Sequence, residues 1–101
     1  MKVEQFYNKN QFVIYGKGET IFQSYNSTIA IIKDGFLTLG KDWNYSKTTM
    51  KHLYLFLEDY YFELDKEYKL YIHQVLYNSK NKKQAIQKLI DEKHIKVSEE
   101  L

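Results

Sequence analysis

Apolar residues along this chain follow two patterns, and the change falls near residue 40. Before it they come in short β-branched and aromatic runs between turn residues; after it they recur at three- and four-residue spacing. Residues 11–15 (QFVIY) predict a strand, and Gly16-Lys17-Gly18-Glu19 predicts the turn after it, with two glycines free to take positive φ. Residues 20–25 (TIFQSY) predict a second strand, with Ile21, Gln23 and Tyr25 on one face and Phe22 and Ser24 on the other. Asn26-Ser27 predicts a reversal. Residues 28–33 (TIAIIK) are apolar on both faces, which places them centrally in a sheet. Asp34-Gly35 is the strongest local signal, because Asp-Gly between apolar runs favours the type I′ turn whose twist matches a hairpin. Residues 36–39 (FLTL) then return, and residues 1–9 read as a polar lead-in without a clear signal of their own.

Ser46 suits the N-cap of a first helix over about 47–63, whose stripe is Met50, Leu53, Tyr54, Leu57, Tyr60, Tyr61 and Leu64. Asp65 is placed to cap a second over about 66–77, with Tyr68, Tyr71, Ile72, Val75 and Leu76 inward. Residues 78–81 break the pattern, and a third helix is expected over about 82–93 with Ala85, Ile86, Leu89 and Ile90 inward. Ile95 and Val97 suit a short strand after it. The expected fold class is α+β: a four-stranded antiparallel meander over about 11–40, then three helices packed on one face, in a single domain spanning 1–101.

Composition narrows the chemistry. With no Cys, disulfides, thiolate zinc sites and cysteine catalysis are excluded. His52, His73 and His94 lie too far apart for a helical i, i+4 metal pair, and His52, one position off the stripe, reads as a surface or boundary residue. Ser24, Ser27 and Ser46 lack a nucleophile-elbow context, and Gly16-x-Gly18 is too short for a phosphate loop. The expectation is a protein without enzymatic activity, metal or cofactor. No segment reaches the length of apolar residues that a membrane span needs, and the opening residues do not read as a signal peptide, so a soluble protein of the bacterial cytoplasm is expected.

Charge placement adds one departure from the usual. All 15 basic residues are Lys, and the net charge is only +2. Helix starts prefer acids and helix ends prefer bases, yet Lys47 and Lys51 open the first helix while Glu58, Asp59 and Glu63 close it. Lys80, Lys82 and Lys83 likewise open the third. Each such charge costs about 0.3–1 kcal/mol when exposed, a cost that a binding role would explain. Trp43 and Tyr45 lie just before Lys47, so rings and cations are close in sequence; Trp43 suits either a plug at the sheet-to-helix corner or a stacking platform.

Two segments carry a resemblance. Phe22-Gln23-Ser24-Tyr25 with Ser27, Ile29-Ala30, Ile32 and Gly35, then Trp43-x-Tyr45-Ser46-x-Thr48-Thr49-x-Lys51 and Phe56-Leu57, resemble a family of small uncharacterised proteins from phages and plasmids of Gram-positive bacteria. The likeness covers about 11–57 and resumes at 83–97, with residues 59–77 standing as an addition. It implies an antagonist of host defence, of the anti-CRISPR type. Two readings follow. In the first, Glu58, Asp59, Tyr61, Glu63, Asp65, Glu67 and Tyr68 dock on the basic nucleic-acid groove of a host defence protein such as a Cas effector, mimicking or displacing nucleic acid. In the second, Trp43, Tyr45, Lys47, Lys51, Lys80, Lys82 and Lys83 bind single-stranded nucleic acid. Either form is expected as a monomer or homodimer, without a membrane partner.

Overall fold

The computed structural model describes residues 2–101. Five consecutive strands form an antiparallel meander: β1 (Lys2–Phe6), β2 (Asn8–Gly16), β3 (Glu19–Ser24), β4 (Ser27–Lys33) and β5 (Phe36–Gly40). Three helices follow, α1 (Lys47–Tyr60), α2 (Lys66–Tyr77) and α3 (Lys82–Asp91), with one 3₁₀ turn at Tyr61–Glu63 after α1. The chain then returns as β6 (Lys96–Ser98), which pairs in parallel with β5 and completes a six-stranded sheet in sequential order. The fold is therefore α+β as expected; among the described residues the meander has five strands where four were expected, and the short strand suggested by Ile95 and Val97 is the sixth.

The additional strands lie at the two edges. β1 is exposed at four of its five positions, so no apolar alternation marks it. Its register to β2 joins Val3 to Ile14 and Gln5 to Phe12, and the reversal between them is Tyr7 alone, in the left-handed region at φ 63°. At the far edge β6 contains Val97 but not Ile95, which is buried just before it.

Turn chemistry explains the meander. Asp34 and Gly35 both take positive φ, 54° and 86°, as the type I′ turn requires. The β3–β4 reversal falls on Tyr25-Asn26, one residue before the expected pair, and Tyr25 carries the positive φ of 54°. Its N–H donates to the Asn10 carbonyl at 2.7 Å, which ties the reversal to β2. Gly18, at φ 73°, does the same work between β2 and β3.

One sheet face carries the core. The cross-strand row Val13, Phe22, Ala30 and Leu39 is buried, as are Thr20, Ile32 and Leu37 in the next row. On the opposite face Ile14, Ile21 and Ile31 are half-buried. The covered face meets α1 through Phe22 and Phe56, stacked at 5.5 Å between centroids and 24° between planes. Phe6 packs edge-on against both.

The buried stripe of α1 is Thr49, His52, Leu53, Phe56 and Leu57. It is turned relative to the expected stripe, so Met50 and Tyr54 sit at its margin and His52 lies inside. Phe56 sets that rotation by stacking on Phe22, and His52 is satisfied by a 2.8 Å bond between its Nδ1 and the Thr48 carbonyl. Ser46 caps α1, accepting from the Thr49 N–H at 3.1 Å. Asp65 opens α2 but does not cap it with its side chain; its N–H donates to the Gly35 carbonyl at 2.8 Å and docks the helix on the hairpin. In α2 only Ile72 and Leu76 are fully buried, and Tyr71 of the expected stripe is exposed. Asn81 caps α3 by accepting from the Gln84 N–H at 3.1 Å. A Schellman closure ends α3 two residues earlier than expected: Lys93 takes φ 63°, its N–H donates to the Ile90 carbonyl at 3.0 Å, and the His94 N–H donates to the Leu89 carbonyl at 2.9 Å. That closure turns the chain toward β5.

Two substitutions test this packing by chemical denaturation. Phe56→Ala is expected to destabilise the fold by about 3–5 kcal/mol, the range for removing a buried aromatic ring. Gly40→Ala is expected to be severe, because its Cβ would run into the Thr28 carbonyl, whereas Gly16→Ala meets nothing within 4 Å among the described residues and should stay within about 0.5 kcal/mol.

Candidate functional sites on one helical layer

The acidic set lies along the end of α1, the 3₁₀ turn and the start of α2. Glu58, Asp59, Asp65 and Glu67 are exposed and Glu63 is half-buried. Asp59 accepts a 2.8 Å hydrogen bond from the Tyr7 hydroxyl, which links the ridge to the β1–β2 reversal. Tyr61 and Tyr68 are held inward: Tyr61 packs edge-on to His73 at 5.3 Å, and Tyr68 against Phe36 at 5.0 Å. The aromatic residue that the ridge presents to solvent is Phe62, 70% exposed, which the periodic pattern does not single out because it falls on the solvent side of the 3₁₀ turn.

Beside this ridge runs a groove of about 400 Å³ lined by Tyr54, Glu58, Tyr61, His73, Leu76, Tyr77 and Lys82. Its rings come from α1, the 3₁₀ turn and α2, and the His73 and Tyr77 rings stack at 5.7 Å. Lys82 is the basic residue of the groove lining. Its ammonium donates to the Leu76 carbonyl and, at 3.1 Å, to the Ser79 carbonyl, closing the C-terminal end of α2. A lysine that looked misplaced at the start of one helix is well placed at the end of the one before.

Of the basic and aromatic set, Trp43 is withdrawn into the core. Trp43 is 4% exposed, so its ring plugs the sheet-to-helix corner and offers no stacking face, and its backbone N–H donates to the Gly40 carbonyl at 3.1 Å. Tyr45 is 75% exposed. Lys47 and Lys51 are exposed on α1, and Lys80 and Lys83 are exposed on another element at the entry to α3.

A second cleft, about 560 Å³, opens where α1 begins. Its walls are residues 24–27 and Ile29 from the β3–β4 reversal, Asp42 and Tyr45 from the connection, and Ser46, Thr48 and Thr49 from the helix start. Both segments that carry the resemblance supply its lining. Inside, Ser46 Oγ donates to Thr49 Oγ1 at 3.1 Å, and Thr49 Oγ1 shares a hydrogen bond of 3.1 Å with Ser24 Oγ.

Four half-buried phenols lie on α1, the 3₁₀ turn and α2. Burial pushes Tyr61 up to about 12, with Glu58 adding to the shift. Tyr60 is raised well above its ordinary value by burial and by its hydrogen bond with Tyr15. Tyr54 and Tyr68 are raised by burial. In the unfolded chain these phenols ionise near 10.0, so above that pH the native state binds more protons than the unfolded one. Their contribution is therefore fully present below about pH 10 and is lost as pH rises toward 12. Denaturation midpoints should fall across that window, and a phenolate absorbance titration should show a late-ionising group of tyrosines that joins the early group in denaturant.

Among the described residues no helix is long and apolar enough to cross a membrane. No curated protein and no solved structure matches the chain. A family model does match, over residues 1–74. That span includes 59–74, most of the stretch that the resemblance set apart as an addition, and it ends before α3. With the meander, the cleft, α1 and most of α2 inside the match, the chain belongs to a family of unknown function, DUF8033.

Proposed function

We propose that this chain is a non-catalytic interaction protein that occupies a basic, nucleic-acid-binding surface of another protein and so competes with nucleic acid there. The observation that supports this reading is the aromatic groove beside the acidic ridge. Tyr54, Tyr61, His73 and Tyr77 line a slot that also contains Glu58 and Lys82, the Lys82 ammonium being bonded to carbonyls at the end of α2, and Asp59 and Glu63 lie on the adjoining ridge. Ring faces and a carboxylate around one slot are what a lysine or arginine side chain seeks, each cation–ring contact contributing about 0.5–2 kcal/mol. Phe62 supplies an exposed apolar anchor next to it, and the acids around it steer a cationic surface into contact.

The resemblance to proteins of mobile elements makes host defence nucleases, Cas effectors among them, the first partners to try. The chain should form a stable complex with such an effector and reduce its nucleic-acid binding, with affinity that falls as salt rises. Tyr77→Ala and Glu58→Gln should each weaken the complex by roughly tenfold, about 1.4 kcal/mol, with the thermal midpoint unchanged because both side chains are exposed. Absence of a complex with basic effector proteins, together with low-salt binding to a mixed single-stranded oligonucleotide, would favour the nucleic-acid reading instead.

A further inference from the structure

We propose that the cleft at the start of α1 binds a sugar ring, either a free saccharide or the ribose of a nucleoside. This inference stands apart from the protein partner proposed above, since the cleft shares no lining residue with the aromatic groove.

The cleft has unspent hydrogen-bonding capacity in its wall. Ser46, Thr49 and Ser24 form a chain of three hydroxyls joined by two hydrogen bonds, so one of their protons has no acceptor within the chain. Gln11 pairs with Ser24 across β2 and β3, on the same covered face. It lies behind the cleft lining, 0% exposed, and among the described residues neither its amide oxygen nor its amide nitrogen has a partner. The three hydroxyls and the Asn26 amide of the lining both donate and accept, so this corner of the fold favours a guest that does the same. Hydroxyl groups do both.

Chemistry at the mouth narrows the guest further. Tyr25 and Tyr45 are exposed on the cleft's outer walls, where ring faces can meet the C–H face of a sugar. Asp42 is the charged residue among the lining, and a carboxylate there repels a phosphate or another carboxylate. Asp42 and Asn26 instead suit neutral hydroxyls. The volume lies within the range of small-molecule sites.

The test is an amide chemical-shift titration of the isotope-labelled full chain. The probes are adenosine and uridine, glucose and N-acetylglucosamine, and inorganic phosphate, each up to about 10 mM, where millimolar binding is visible. Saturable shifts at Ser24, Asn26, Tyr45 and Thr48 are expected with the sugars. Response to nucleosides alone assigns ribose, and response to hexoses assigns free saccharide; either supports the proposal. Tyr45→Ala should weaken binding by roughly tenfold or more while leaving the spectrum folded. Saturation by phosphate alone, shifts confined to other surfaces, no response to any sugar, or undiminished binding by Tyr45→Ala would each overturn it. None of these results bears on the effector complex, so the two proposals fail separately.

Discussion

Phe22 of β3 and Phe56 of α1 stack in the middle of the molecule, with Phe6 edge-on to both and Tyr60 tilted against Phe56 at 5.0 Å. Both stacked rings are fully buried, and each such burial is worth about 1.5–3 kcal/mol before any ring–ring geometry is counted. A sheet with one apolar face must cover it, and this stack decides how α1 does so. It sets the rotation of the helix, and therefore which residues of α1 face the sheet and which face the solvent.

The two ends of α1 become surfaces because its middle is clamped. At its start, Ser46 caps the helix and Thr49 reaches Ser24, so the β3–β4 reversal and the tryptophan-bearing connection close around one cleft. At its end, the 3₁₀ turn throws Phe62 outward, and α2 starts on the Gly35 carbonyl. The Asp65 backbone lies so close that a Cβ added to Gly35 would come within 3.0 Å of the Asp65 nitrogen. The hairpin turn thus serves two purposes, a twist for the strands and a seat for α2. Lys82 then seals α2, and the Schellman closure at Lys93 returns the chain to the sheet edge.

Much of this was legible in the residues. Asp34-Gly35, Ser46 and the spacing of Leu53 and Leu57 each carry a local rule that the fold obeys. β1 was not legible, because an edge strand exposed on both faces needs no apolar alternation. The rotation of α1 was missed because Thr49 and His52 are polar in sequence and buried in the fold, and only their partners, Ser24 and the Thr48 carbonyl, make that burial tolerable. For the same reason the aromatic groove was only half visible. Glu58 and Tyr61 stood out, but Tyr54, His73 and Tyr77 join them only where α1, the 3₁₀ turn and α2 line one groove. Trp43 took the packing role, not the stacking one, and Lys82 belongs to the helix before it.

If the aromatic stack is what holds α1 to the sheet, the two elements must open together. Native-state hydrogen exchange across β3 and α1 measures this directly. The amides of Phe22 and of Leu53 to Leu57 should share one opening free energy, equal to that of global unfolding, and should lose protection in step as denaturant is added. An α1 that exchanges through an independent, lower-energy opening while β3 stays protected would contradict the clamp and the surfaces built on it.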